Sequence, residues 1–106
     1  MTDVLTVMCT FPKQDEARQI GTHLVERQYA ACVNILPSVE SIYLWEGKIR
    51  CDQEVMAVIK TTRQVFPVLC RELVTLHPYD EPEIIAIPVT DGSAGYLSWV
   101  EGSVRG

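Results

Sequence analysis

Two β-prone runs of unusual length flank the dipeptide Glu46-Gly47, and they constrain the fold more than anything else in the chain. Residues 30–45 carry Ala31, Val33 and Ile35, then Val39, Ser41, Tyr43 and Trp45, at alternate positions. Such alternation marks a strand with one sheltered face. Residues 48–61 return with Val55, Ala57 and Ile59 on one face and Met56 and Val58 on the other. Glu46-Gly47 between them reads as a tight hairpin turn. Pro37 removes a ladder donor, which predicts a bulge or bend there. The sixteen residues of the first run span about 50 Å when extended, whereas a folded chain of this length has a radius of gyration of about 13 Å. A hairpin that long projects beyond its own domain, and its exposed apolar edge calls for a partner. The pattern therefore predicts an obligate homo-oligomer with hairpins packed between subunits. The alternative is that Pro37 folds the hairpin back on itself.

The flanking segments supply the rest of one domain, residues 1–106. Residues 4–11 are apolar at nearly every position, as in a central strand covered on both faces. Residues 13–28 follow as a helix, with Ala17, Ile20, Gly21, Leu24 and Gln28 at helical spacing and Asp15 and Glu16 in the first turn. Residues 64–76 form a second helix with Phe66, Leu69, Cys70, Leu73 and Leu76 on one stripe and Pro67 in its first turn. Residues 83–89 read as a short buried strand. Tyr96, Leu97, Trp99 and Val100 then suggest a short terminal helix. Strand, helix, strand, strand, helix, strand is the split βαβ order, so the fold class is α+β: a ferredoxin-like antiparallel sheet with a long central hairpin and a short C-terminal helix.

Composition narrows the function. A net charge of −5, with nine basic residues scattered along the chain, argues against a nucleic-acid partner, which needs clustered Lys and Arg. No apolar run approaches the roughly 18 residues of a membrane span. The start, Met1-Thr2-Asp3, has no positive n-region. A cytoplasmic location is expected. Cys9, Cys32, Cys51 and Cys70 form no CxxC pair, so they are expected as free thiols and not as a zinc finger. No Gly-rich phosphate loop is present, and Cys9 with His77 is the one conceivable nucleophile–base pair; the chain does not read as an enzyme.

The stretch from Leu76 to Ile85 holds the densest chemistry: His77, Tyr79, Asp80, Glu81 and Glu83 between Pro78 and Pro82. Pro78 disfavours the helical region at His77, so His77 should end its helix. A neutral imidazole there can ligate copper or zinc, or simply cap the helix. Cys9 shares its strand face with Leu5, Val7 and Phe11, which by itself reads as core. Asp80, Glu81 and Glu83 can complete a harder site or form a solvated acidic loop. Cys70 lies about 10 Å along the helix from His77, too far to share a metal with it. His23, beside Glu26 and Arg27, reads as a surface residue. Tyr43, Trp45, Tyr79, Tyr96 and Trp99 suit an inter-subunit cleft, with Lys60 and Glu54 as charges in it.

Several short motifs occur in order: Val7-Met8-Cys9-Thr10, Ala30-Ala31-Cys32-Val33-Asn34-Ile35, Ser41-Ile42-Tyr43-Leu44-Trp45-Glu46-Gly47-Lys48-Ile49, Ile59-Lys60-Thr61, His77-Pro78-Tyr79, Pro82-Glu83-Ile84-Ile85 and Tyr96-Leu97-Ser98-Trp99. Together they resemble the CutA family of divalent-cation tolerance proteins, across essentially the whole chain. The resemblance implies a homotrimer of ferredoxin-like subunits, assembled like PII signalling proteins. It also implies a cytoplasmic role in tolerance of metal ions, copper above all, with zinc or another divalent cation as alternatives. By motif match the implied metal ligands are Cys9 and His77. Some members carry a second histidine just before the histidine of this motif; Leu76 stands there in this chain. The alternative function is a PII-like module that binds a small molecule in the inter-subunit cleft.

Overall fold

A computed structural model describes residues 2–106. The chain runs β1 (Val4–Phe11), α1 (Gln14–Glu26), β2 (Cys32–Trp45), β3 (Lys48–Thr62), α2 (Phe66–Leu76), β4 (Ile84–Pro88) and α3 (Ala94–Ser103). The strands form one antiparallel sheet in the order β2-β3-β1-β4. This is the α+β, βαββαβ arrangement expected from the pattern, with the extra C-terminal helix.

Period-two alternation sorts the sheet into two faces. Val7 pairs with Ile59 and Ala86, and Cys9 pairs with Ala57 and Ile84, so these side chains share one face. The face packs under α1 and α2 through Ala17, Ile20, Leu24, Leu69 and Leu73, all buried. Gly21 lets α1 approach closely: a Cβ there would lie 3.2 Å from Val33 Cγ1. The opposite face carries Thr6, Met8, Met56, Val58, Ile85 and Ile87. α3 contacts β1 and β3, and its Tyr96 meets Cys32 on this second face; the margin of the face along β4 lies bare. β1 is an internal strand with no exposed residue on either face, as expected. One expectation is corrected here: β4 is not a buried strand. β4 is an edge, so Ile84 and Ala86 reach the core while Ile85 and Ile87 point to the bare side, 51% and 44% exposed.

The hairpin does not fold back. Pro37 and Ser38 are absorbed by a bulge between Leu36 and Val39, and pairing resumes to Trp45↔Lys48. Glu46 and Gly47 have φ of 50° and 77°, the left-handed pair of a type I′ turn. β1 stops opposite Val55, so the hairpin beyond that point is a two-stranded arm, and the molecule is 44 Å long against 25 and 22 Å across. On one face of the arm Ile42 is 68%, Leu44 66% and Ile49 72% exposed. Among the described residues no helix is long and apolar enough to cross a membrane.

Candidate functional site

The arm and the loop after α2 enclose a cleft where β1 ends. His77 positions that loop. Its φ of −69° and ψ of 141° end α2 in extended backbone, as Pro78 requires. The ring is buried, stacked on Phe11 with centroids 4.6 Å apart. His77 Nε2 lies 2.7 Å from the Thr10 carbonyl oxygen, and the Tyr79 amide donates to His77 Nδ1 at 3.1 Å. A carbonyl only accepts, so Nε2 carries the proton and the one lone pair, on Nδ1, is engaged by Tyr79. Burial holds the His77 pKa below its usual value, countered in part by the Thr10 carbonyl and the charges of Glu16 and Glu54.

Cys9 is fully buried, and its thiol donates weakly to the same Thr10 carbonyl at 3.8 Å. Burial pushes its pKa up to about 12, assisted by Glu83, Cys70 and Glu54. The thiolate is the metal ligand and the nucleophile, and this environment opposes it. The fold thus brings Cys9 and His77 to one carbonyl, but as two donors sharing an acceptor, with no hydrogen bond from thiol to imidazole. A Cys9–His77 metal centre would have to displace both arrangements. Among the described residues no group of three or more His, Cys, Asp and Glu side chains converges to hold a metal ion.

The cleft itself has a volume of about 680 Å³. Strand register puts Tyr43, Trp45, Arg50, Asp52 and Glu54 on one face of the arm, opposite Ile42, Leu44 and Ile49. The bulge matters here: before it, Val33 and Ile35 pair with Ile59 and Ala57 on the helix-covered face, and after it Tyr43 and Trp45 pair with Arg50 and Lys48 on the other. The loop contributes Tyr79, Asp80, Glu81 and Glu83. The Tyr79 hydroxyl crosses to donate to Glu54 Oε2 at 2.8 Å, and the Tyr43 hydroxyl donates to Asp52. Burial, then the Glu54 hydrogen bond, raises the Tyr79 pKa, so this phenol stays protonated.

Of the residues expected in an inter-subunit cleft, Tyr43, Trp45, Tyr79 and Glu54 line this cleft of the single chain, and others do not meet it. Tyr96 and Trp99 pack against each other at a tilt along α3, ring centroids 5.6 Å apart, and Lys60 donates to Asn34. Cys70 is half-buried on α2. His23 is not a lone surface residue; its Nε2 meets Glu72 Oε1 at 2.8 Å, joining α1 to α2. Nothing in the spacing of residues 23 and 72 signals that pair. Asp52 and Arg50 were missed as cleft residues, and the hairpin register through Glu46-Gly47 was the signal that places them beside Tyr43.

The sequence pattern of the family described as "CutA1 divalent ion tolerance protein" matches residues 5–103. The "Divalent-cation tolerance protein CutA" of Thermus thermophilus is 46% identical over 94 residues, 89% of this chain and 91% of that protein. The "Protein CutA, chloroplastic" of Arabidopsis thaliana is 40% identical over 101 residues, 95% of this chain but 56% of that longer protein. The crystal structure of CutA from Xylella fastidiosa superimposes with a TM-score of 0.95 at 38% identity, covering 98% of this chain and all of the other. With its fold and its sequence in agreement, the chain belongs to the CutA1 divalent ion tolerance protein family.

Proposed function

We propose that this chain serves tolerance of divalent cations, copper first among them, as a cytoplasmic homotrimer that binds its cation and does not catalyse a reaction. The match to the CutA1 family along residues 5–103 carries the reading. The bare apolar face of the arm supports the assembly: Ile42, Leu44 and Ile49 are each at least 66% exposed on one chain, and an unpaired strand edge with such a surface calls for a neighbour. Among the described residues of one chain no three ligand side chains converge, so the cation is held weakly or between subunits. Two sets of donors compete for it. Cys9 and His77 are the soft donors that suit copper, but they must first leave the Thr10 carbonyl and the Tyr79 amide. Glu54, Glu81 and Glu83 at the cleft keep free lone pairs and suit a harder ion. Calorimetric titration of Cu²⁺ into the wild type, His77→Ala and Glu83→Gln separates them. The cleft placement predicts weakened binding in Glu83→Gln and unchanged binding in His77→Ala. The reverse result moves the cation to Cys9 and His77, and no heat in the wild type rejects cation binding altogether.

A second reading, a small-molecule module of the PII kind, is favoured by the cleft itself. Its volume, about 680 Å³, falls within the range of organic-ligand sites, and three aromatic side chains line it. Native mass spectrometry of protein taken directly from cells would show an organic adduct in place of metal.

A further inference from the structure

The cleft is far wider than a bare cation needs, and its walls specify more than acidity. Asp52, Glu54, Asp80, Glu81 and Glu83 face it, against the single guanidinium of Arg50. The hydroxyls of Tyr43 and Tyr79 are already engaged as hydrogen-bond donors to Asp52 and Glu54. What these groups still offer an occupant is acceptors: carboxylate and phenol lone pairs. The rings of Tyr43, Trp45 and Tyr79 add π faces, which attract organic cations electrostatically and give their carbon chains a surface to lie on. A concave site with aromatic walls, many acceptors and one cationic donor suits a donor-rich organic cation. An anion would meet like charge, and a neutral polyol would leave the carboxylates unmatched.

We infer that the cleft between the arm and the His77–Glu83 loop binds a protonated organic amine, its ammonium groups bonded to Asp52 and Glu54 and its carbon chain lying against Trp45 and Tyr79. This rests on the small-molecule reading of the cleft and names its ligand class. Tyr43 and Tyr79 act as positioning residues: each fixes a carboxylate and leaves that carboxylate's remaining lone pairs for the amine.

Spermidine serves as the probe, with citrate as the anionic and triethylene glycol as the neutral control, titrated into the full-length protein at about 0.15 M salt, where long-range attraction is screened. Trp45 emission and calorimetry are the readouts; the Trp45→Phe variant assigns the emission change, and light scattering confirms unchanged assembly in every variant. Spermidine is expected to perturb Trp45, with at least a tenfold loss of affinity in Asp52→Asn/Glu54→Gln and none in Glu101→Gln, outside the cleft. Equal weakening in all variants, or equal affinity in the cleft variant and the wild type, overturns the proposal. A Trp45 response to citrate or glycol without one to spermidine overturns the amine class and leaves the small-molecule reading standing. No Trp45 response to any probe overturns both.

Discussion

Replacing Leu44 and Ile49 together by serine tests whether the arm is an assembly surface. The two are direct cross-strand partners on the same face, 66% and 72% exposed in the single chain. Full burial of one such side chain is worth about 1.5–3 kcal/mol. Roughly two-thirds of that area is still open, so covering it in an assembly adds about 1–2 kcal/mol per residue. The pair is then worth on the order of 10 kcal/mol per trimer. Because a trimer dissociates into three chains, that loss raises the concentration at which it falls apart by three to four decades, on the order of a micromolar-to-millimolar shift or more. An isolated chain responds differently: it loses one exposed cross-strand contact, about 0.5 kcal/mol. Light scattering across a dilution series, paired with thermal unfolding at each concentration, reads both quantities. The expected result is a large mass at high concentration for both proteins, early dissociation of the variant on dilution, and a variant Tm that rises with concentration. An unchanged mass and a Tm within a degree or two of wild type at every dilution would refute the argument from exposure.

Three further outcomes follow from local geometry. Gln28 closes α1 in the left-handed region, φ 61°, with Gln28 N–H bonded to the Val25 carbonyl and Tyr29 N–H to that of Leu24; glycine tolerates this conformation freely, so Gln28→Gly should stabilise by about 0.5–1 kcal/mol in urea unfolding. His77 is held neutral by burial, its pKa lowered from the usual 6.5. The unfolded chain therefore binds the proton first: this contribution is complete above pH 6.5 and is lost as pH falls below it. Stability should drop less between pH 7 and pH 5 in His77→Gln than in wild type, and parallel pH profiles would contradict this. Cys9, buried and with its pKa near 12, should resist a thiol reagent in the native protein and react only on unfolding; mass mapping of the labelled peptide at pH 8 decides it.

Much of this structure is written in local pattern. The alternation through residues 48–61 gave the two faces of β3, Pro37 marked the bulge, and Pro78 placed the end of α2 at His77. The parity of Leu5, Val7, Cys9 and Phe11 placed Cys9 among buried side chains. What could not be read locally depends on contacts between distant segments. His77 and Thr10 are 67 residues apart, and Tyr79 and Glu54 are 25 apart, so the saturation of the imidazole and the bracing of the cleft appear only once the chain is folded. Residues 83–89 misled because an apolar run looks the same in a central strand and in an edge strand with one open face. Gln28 gave no warning either: the residues that advertise a left-handed helix end are glycine and asparagine.

Native mass spectrometry of the protein purified from copper-exposed cells tests the account most directly, because one spectrum reports both assembly and cargo. The account predicts a species of three 11.9 kDa chains that carries substoichiometric, easily lost copper. A monomer, or a single chain holding copper through gentle activation, would contradict it.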